Sequence, residues 1–220
     1  MIKSLVSFIL GAACLHAQVA KEANANYRDE QGRKQVASRL NDPGREARQR
    51  PMELLGAIGL KPGMSIADIG TGVGFMLPYM SRVVGPSGTV YAEDIFPDFL
   101  AQAKEHAKDL TNVRFVKGNE RSASLPPNSI DRALILDAYH HFDYPKEMLT
   151  SIASALKPGG QIAIVEFEKN DHAMDGRSSV SHIRLTRDEF VKEVESFGFR
   201  ASSVKEFTPG SQWVGLFEKR

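Results

Sequence analysis

The residues best placed to do chemistry form the run Asp68-Ile69-Gly70-Thr71-Gly72-Val73-Gly74, directly behind the apolar stretch Met64 to Ile69. An acid and alternating glycines at the end of a buried strand make a small-molecule site, because a backbone without Cβ atoms can turn sharply and come close to a ligand. The spacing departs from the dinucleotide fingerprint G-x-G-x-x-G: the last glycine comes one residue early and Phe75 takes its place, which reads against NAD or FAD. Asp94 follows Gly74 by 20 residues, the separation at which an acid at the next strand end can accept ribose hydroxyls. Its neighbour Glu93 points to the other face of that strand and reads as a structural or surface charge. Further on, Asp137-Ala138-Tyr139-His140-His141 brings histidines to another strand end. An imidazole with a pKa near neutrality can take a proton from a reacting group, His140 ahead of His141, or it can simply shape the pocket. Asp137, His140, His141 and Glu166 could also ligate a metal, but consecutive histidines usually diverge, so no metal is assigned.

These residues need a scaffold of alternating strands and helices. Pro51 suits a first helical turn, and Met52, Leu54, Leu55 and Ile58 recur at helical spacing up to Gly59. Lys61-Pro62-Gly63 is a turn before the first strand, Met64 to Ile69. A helix from near Gly74, a strand Thr89 to Ile95, a helix Pro97 to Leu110 and a strand Val113 to Lys117 come next. Then come a strand Ile130 to Leu136, a helix Pro145 to Leu156, the turn Lys157-Pro158-Gly159-Gly160 and a strand Gln161 to Phe167. Such alternation predicts right-handed crossovers and a parallel sheet with helices on both faces. After a helix Thr186 to Phe197, the strands Phe199 to Phe207 and Gln212 to Phe217 are joined by Pro209-Gly210, too short for a helical crossover, so they pair antiparallel.

At 220 residues with 42% hydrophobic content, the chain supports one α/β domain with a complete core. The formal net charge of +1 gives no global field to recruit nucleic acid or an anionic membrane. Basic residues outnumber acidic ones between Arg28 and Arg50, and that segment reads as a solvated helical face rather than a polyanion site. Residues 21–50 are polar, helix-compatible and broken at Asn41-Asp42-Pro43-Gly44, an N-terminal cap or lid. Residues 1–20 have the layout of a secretory signal: Lys3, an apolar run Leu5 to Leu15, and cleavage near Ala17 or Ala20. The run is too short to span a bilayer. It implies an exported or periplasmic protein, cytoplasmic if the leader is not a true signal. Leu10 to Cys14 resembles a lipoprotein box with its leucine one place too far from the cysteine, so plain cleavage is favoured. Cys14 is the lone cysteine, and a mature chain without it would have no disulfide, thiol nucleophile or cysteine metal site.

In order along the chain, Asp68-Ile69-Gly70-Thr71-Gly72-Val73-Gly74, the acid of Tyr91-Ala92-Glu93-Asp94-Ile95, the segment Gly118 to Pro126 and Leu156-Lys157-Pro158-Gly159-Gly160 resemble successive motifs of class I S-adenosylmethionine (SAM) dependent methyltransferases. The branch most resembled is that of ubiquinone/menaquinone biosynthesis methyltransferases. The resemblance covers about Pro51 to Phe217 and implies a methyltransferase domain over 51–220. It implies a Rossmann-like, seven-stranded, mainly parallel sheet with an antiparallel last strand, and SAM as cofactor. The cofactor contacts it implies are Asp68 and the glycine loop (Gly70, Thr71, Gly72 and Gly74) at the methionine part, Asp94 at the ribose hydroxyls and Asn119 at the adenine edge, with Ile95, Glu120, Asp137 and Tyr139 as further cofactor-binding residues. The family usually has aspartate where Asn119 stands; asparagine can still accept from the adenine amino group, and otherwise Asn119 is a turn residue after Gly118. The expected acceptor is a small molecule, with Asp137, His140 and His141 as the catalytic set. Phe75, Phe142, Tyr144 and Trp213 line an acceptor pocket or pack in the core, and His182 and Arg184 lie on a segment that covers the acceptor or is solvated. A noncatalytic exported scaffold retaining the fold is the competing reading, motivated by the leader, since SAM is made in the cytosol.

Overall fold

The computed structural model describes residues 18–174 and 178–220; most of the leader, and with it Cys14, lies outside the described residues. The described residues run through a 3-10 turn Ala25–Tyr27, helix α1 Glu30–Leu40, α2 Arg45–Gln49 and α3 Pro51–Ala57, then β1 Ser65–Ile69, α4 Leu77–Val84, β2 Thr89–Asp94, α5 Pro97–His106 and β3 Val113–Lys117. It continues through β4 Ile130–Leu136, a 3-10 turn Tyr139–His141, α6 Pro145–Ala155, β5 Leu156–Phe167, α7 Arg187–Ser196, β6 Phe199–Thr208 and β7 Gln212–Lys219. Prolines open α3, α4, α5 and α6 within their first turn, where a missing N–H costs nothing. Thr186 and Glu189 close a reciprocal capping box on α7.

The strands form one seven-stranded sheet in the order β3-β2-β1-β4-β5-β7-β6. β7 runs antiparallel to both β5 and β6, and the other pairings are parallel. β5 begins earlier than the sequence suggests, taking in Lys157 to Gly160, with a register shift between Ile130 and Arg132 absorbing the turn-like residues.

Alternation along the strands sorts the core into two layers. Ile66, Val90, Ala92, Leu134, Leu136, Ala163 and Val165 pack with α3, α4 and α5 residues such as Leu54, Leu77, Met80 and Ala103. Ala67, Ile69, Tyr91, Ala133, Ile135, Ile162 and Ile164 pack with Met148, Leu149 and Ile152 of α6 and Phe190 and Val194 of α7. Trp213 belongs to that second layer, so it is core rather than acceptor wall. The strand order reverses between β1 and β4, and the carboxyl ends of these two strands flank the switch point where open α/β sheets bind ligands.

Candidate active site

A cavity of about 1590 Å³ opens at that point. Its floor is the carboxyl edge of the sheet, including Gly70, Thr71, Gly72, Glu93, Asp94, Ile95, Asp137 and His140, and its roof comes from α1, α2 and the segment before them.

The glycine loop is fixed by its own neighbours. Gly72 has φ of +57°, and a Cβ there would lie 2.9 Å from Leu40 Cδ1 of α1; Gly70, at +72°, would press on Ala138 Cβ at 3.0 Å. Glycine is thus demanded both by left-handed backbone and by the closeness of the cap and of the loop after β4. Asp68 lies buried beneath this loop and accepts the Thr71 hydroxyl at 2.7 Å. Asp94 accepts the Gly72 N–H at 2.9 Å with one oxygen and the Phe96 N–H at 2.9 Å with the other, tying the loop to β2 at the edge of the cavity it lines. Burial pushes Asp68 and Asp94 each up to about 6.

Glu93 takes the structural alternative of the sequence reading, not the surface one. Its face is the opposite one, as alternation requires, but both faces of this parallel strand are covered. Glu93 is therefore buried, accepting the Gly70 N–H with Oε2 at 3.3 Å, while Oε1 has no hydrogen-bond partner among the described residues. Burial, with Asp94 beside it, pushes its carboxyl well above the usual carboxylate range.

Asp137 leaves β4 with φ of +52°, a strained conformation for a residue with a Cβ. Its oxygens accept Gln49 Nε2 at 2.6 Å and Gln212 Nε2 at 2.7 Å, so α2 and the start of β7 converge on it. Burial, then the nearby Glu166 charge, raises its carboxyl to about 7.

His140 and His141 both line the cavity, and their expected divergence does not occur. The 3-10 turn brings their ring centroids to 4.0 Å. Buried His140 is held through Nδ1 by Glu166 Oε2 at 2.8 Å, and the same oxygen accepts the His140 backbone N–H at 3.1 Å. His141 Nδ1 meets Asn24 Oδ1 at 2.8 Å, and its Nε2 lies 3.4 Å from the Tyr27 hydroxyl.

Other expected contacts lie elsewhere. Tyr139 turns away from the cavity into the core against Phe190, at 4.3 Å between centroids, and donates its hydroxyl to Glu193 at 2.8 Å. Asn119 is exposed in a turn, its side-chain oxygen accepting the Arg121 N–H at 2.9 Å; Glu120, not Asn119, lines the cavity. Gly74 packs on Ala103 of α5 rather than on the cavity. Phe142 is in the wall, whereas Phe75 lies under the Arg45 guanidinium at 4.4 Å and Tyr144 under Arg121 at 3.4 Å. His182 lines the cavity, while Arg184 pairs with Glu193.

The sequence missed what the cap contributes. Its arginines are not a uniformly solvated face: Arg33 pairs with Asp98 at 2.7 Å, Arg50 reaches the Phe207 carbonyl, and Arg45 lines the cavity within the fields of Asp137 and Asp68. The one available signal was Arg45 opening a short helix after a turn, where inward and outward orientations look alike.

Residues 67–164 match a family model described as a methyltransferase domain. A ubiquinone/menaquinone biosynthesis C-methyltransferase from Shewanella pealeana is 31% identical over 154 residues, 67% of this chain and 61% of that protein. Its counterpart from Stutzerimonas stutzeri is 26% identical over 167 residues, 73% of this chain and 65% of that protein. A SAM-dependent methyltransferase from Aquifex aeolicus superposes with a TM-score of 0.77 at 29% identity, over 83% of this chain and 96% of that one. Fold, cavity and these likenesses point to one class: residues 67–164 match the methyltransferase-domain model, and the chain resembles class I SAM-dependent methyltransferases. Within that class the chain resembles the ubiquinone/menaquinone biosynthesis C-methyltransferases, and it spans 61% to 65% of the length of these two.

Proposed function

We propose that the protein transfers the methyl group of SAM to a small-molecule acceptor held in the same cavity. The observation that carries this reading is the continuity of the cavity from Gly70, Gly72 and Asp94 to Asp137, His140 and His141. Its volume of about 1590 Å³ exceeds the roughly 300–1,000 Å³ of a typical single-ligand pocket and leaves room for a second molecule. The residues suit SAM: a glycine loop for close approach, a cavity-facing carboxylate in Asp94 for hydroxyls, and Arg45 for a carboxylate. When bound, SAM would supply a methyl group on a sulfonium, whose carbon–sulfur bond breaks on in-line attack at the methyl carbon, the neutral thioether leaving.

The protein's task is then chiefly to position and to exclude water. The roof of α1 and α2 encloses the reactants, and Gln49 and Gln212 fix Asp137 at the switch point. Where the acceptor must lose a proton, an imidazole of the His140-His141 pair can take it, with Glu166 holding the His140 ring in place.

Titration calorimetry with SAM and S-adenosylhomocysteine tests the reading, which fails if the folded protein binds neither. The Arg45→Ala variant should bind both about tenfold more weakly, by loss of one charge-assisted contact; unchanged affinity removes Arg45 from the site. The pH dependence has a defined sign. Asp68 and Asp94 at about 6 and Asp137 at about 7 are raised by burial, so their contribution to stability is present below the ordinary carboxylate pKa and is lost as pH rises through 6 to 7. A cationic sulfonium favours the ionised carboxylates, so SAM affinity should rise through the same window. S-adenosylhomocysteine, lacking that charge, should change less, and the SAM to S-adenosylhomocysteine affinity ratio should grow several-fold between about pH 5.5 and pH 8. A ratio flat with pH would contradict ionisation at the cofactor site.

A further inference from the structure

His182 joins the histidine pair from a different part of the chain. It lies between β5 and α7, where its backbone N–H donates to the carbonyl of fully buried Ser179 at 3.0 Å. The Ser179 hydroxyl donates to the Glu168 carbonyl at 2.6 Å, anchoring the segment to the end of β5. The His182 ring centroid is 4.8 Å from that of His140 and 5.5 Å from that of His141. One ring nitrogen from each of His140, His141 and His182 falls within 4.8 Å of the others, and all these side chains line the cavity.

We propose that His140, His141 and His182 form a binding site for a divalent transition-metal ion of the zinc class, open to the cavity on one side. Neutral imidazole nitrogens select zinc and its neighbours over magnesium or calcium. A set of three histidines with an open fourth position is the arrangement that leaves a coordination site for a water or a substrate atom.

The surroundings set the ring orientations. Glu166 accepts at His140 Nδ1, which places the proton there and leaves Nε2 as the donor to an ion, the outer carboxylate that histidine ligands ordinarily have. At His141, Asn24 uses its amide nitrogen on the His141 carbonyl at 3.0 Å and on Asp143 at 3.4 Å. Its oxygen must therefore accept from Nδ1, at 2.8 Å, and His141 Nε2 carries the lone pair, with the Tyr27 hydroxyl 3.4 Å away at the long end of hydrogen bonding. Two carboxylates stand by the cluster, buried Glu166 hydrogen-bonded to His140 and Asp137 within the field of His140, and negative charge there would offset that of an ion. Ligating nitrogens about 2.0–2.1 Å from zinc sit roughly 3.3 Å apart, a contraction that binding would require of the half-buried His141 and His182 side chains.

An ion there would act as a Lewis acid on an acceptor oxygen entering the cavity and would take the place of histidine as the activating group. That consequence rests on the methyl-transfer reading; the site itself does not.

The test uses the untagged full chain, stripped with a chelator and titrated with zinc by calorimetry and with cobalt by visible absorption, without SAM. One ion per chain and the intense visible bands of tetrahedral cobalt are expected. His141→Ala and His182→Ala should each weaken binding at least tenfold with the circular dichroism spectrum unchanged, and His106→Gln, outside the cluster, should leave it intact. Absence of zinc or cobalt binding at micromolar concentrations would overturn the proposal, as would binding that survives both alanine substitutions. SAM titration of the same stripped protein separates this failure from failure of the methyltransferase reading.

Discussion

Asp94→Ala should bind S-adenosylhomocysteine about a hundredfold more weakly than the parent protein, or worse. Asp94 both lines the cavity and accepts the Gly72 and Phe96 N–H groups. Removing it deletes the proposed acceptor for the ribose hydroxyls and unhooks the glycine loop from β2. Hydrogen bonds to a charged group contribute about 1.5–3 kcal/mol each, so loss of two reaches the hundredfold level. Calorimetry on the folded variant checks this. Affinity within threefold of the parent, at unchanged circular dichroism, would remove Asp94 from the cofactor site. Asp94→Asn keeps one carbonyl oxygen for the loop and should lose less.

Glu166→Ala should cost about 3–5 kcal/mol of folding stability, because it leaves three buried donors unsatisfied at about 1–3 kcal/mol each. Glu166 is fully buried. One oxygen accepts His140 Nδ1 and the His140 N–H, and the other accepts the Phe167 N–H at 3.0 Å. Alanine strands those donors where water does not readily replace the carboxylate. Urea denaturation reads the loss directly; a change below about 1 kcal/mol would mean that water or a neighbouring group satisfies them. His140→Leu in the Glu166→Ala background should recover part of the loss, because the imidazole is then no longer an unsatisfied buried group.

Much of the scaffold was legible because its signals are local. The apolar runs of β1, β4 and β5, the prolines that open helices and the glycine turns each act within a few residues, and the short Pro209-Gly210 link fixed β6 and β7 as antiparallel neighbours. Placement of Asp68, Asp94 and Asp137 at strand ends obeys the same logic, since a βα unit puts every strand's carboxyl end on one edge. The contacts that could not be read depend on side chains meeting across long separations. Gln49 and Gln212 reach Asp137 from 88 and 75 residues away, and Asn24 reaches His141 across 117. Tyr139 and His140 are neighbours in the chain yet face opposite ways, one to Glu193 and one to Glu166. The positive φ of Asp137 re-aims the chain beyond it, and no sequence period encodes that.

Backbone geometry and short-range spacing were enough to dictate the α/β class, the strand-end acids and the glycine loop with its early last glycine, all of which the chain carries locally. Packing of the complete fold was needed to bring α1 and α2 over the cavity, to turn Arg45 inward, to bury Glu93 and to complete a cluster of His182 with His140 and His141. Those outcomes depend on which faces the packed elements must cover, a condition met only when the whole chain is in place.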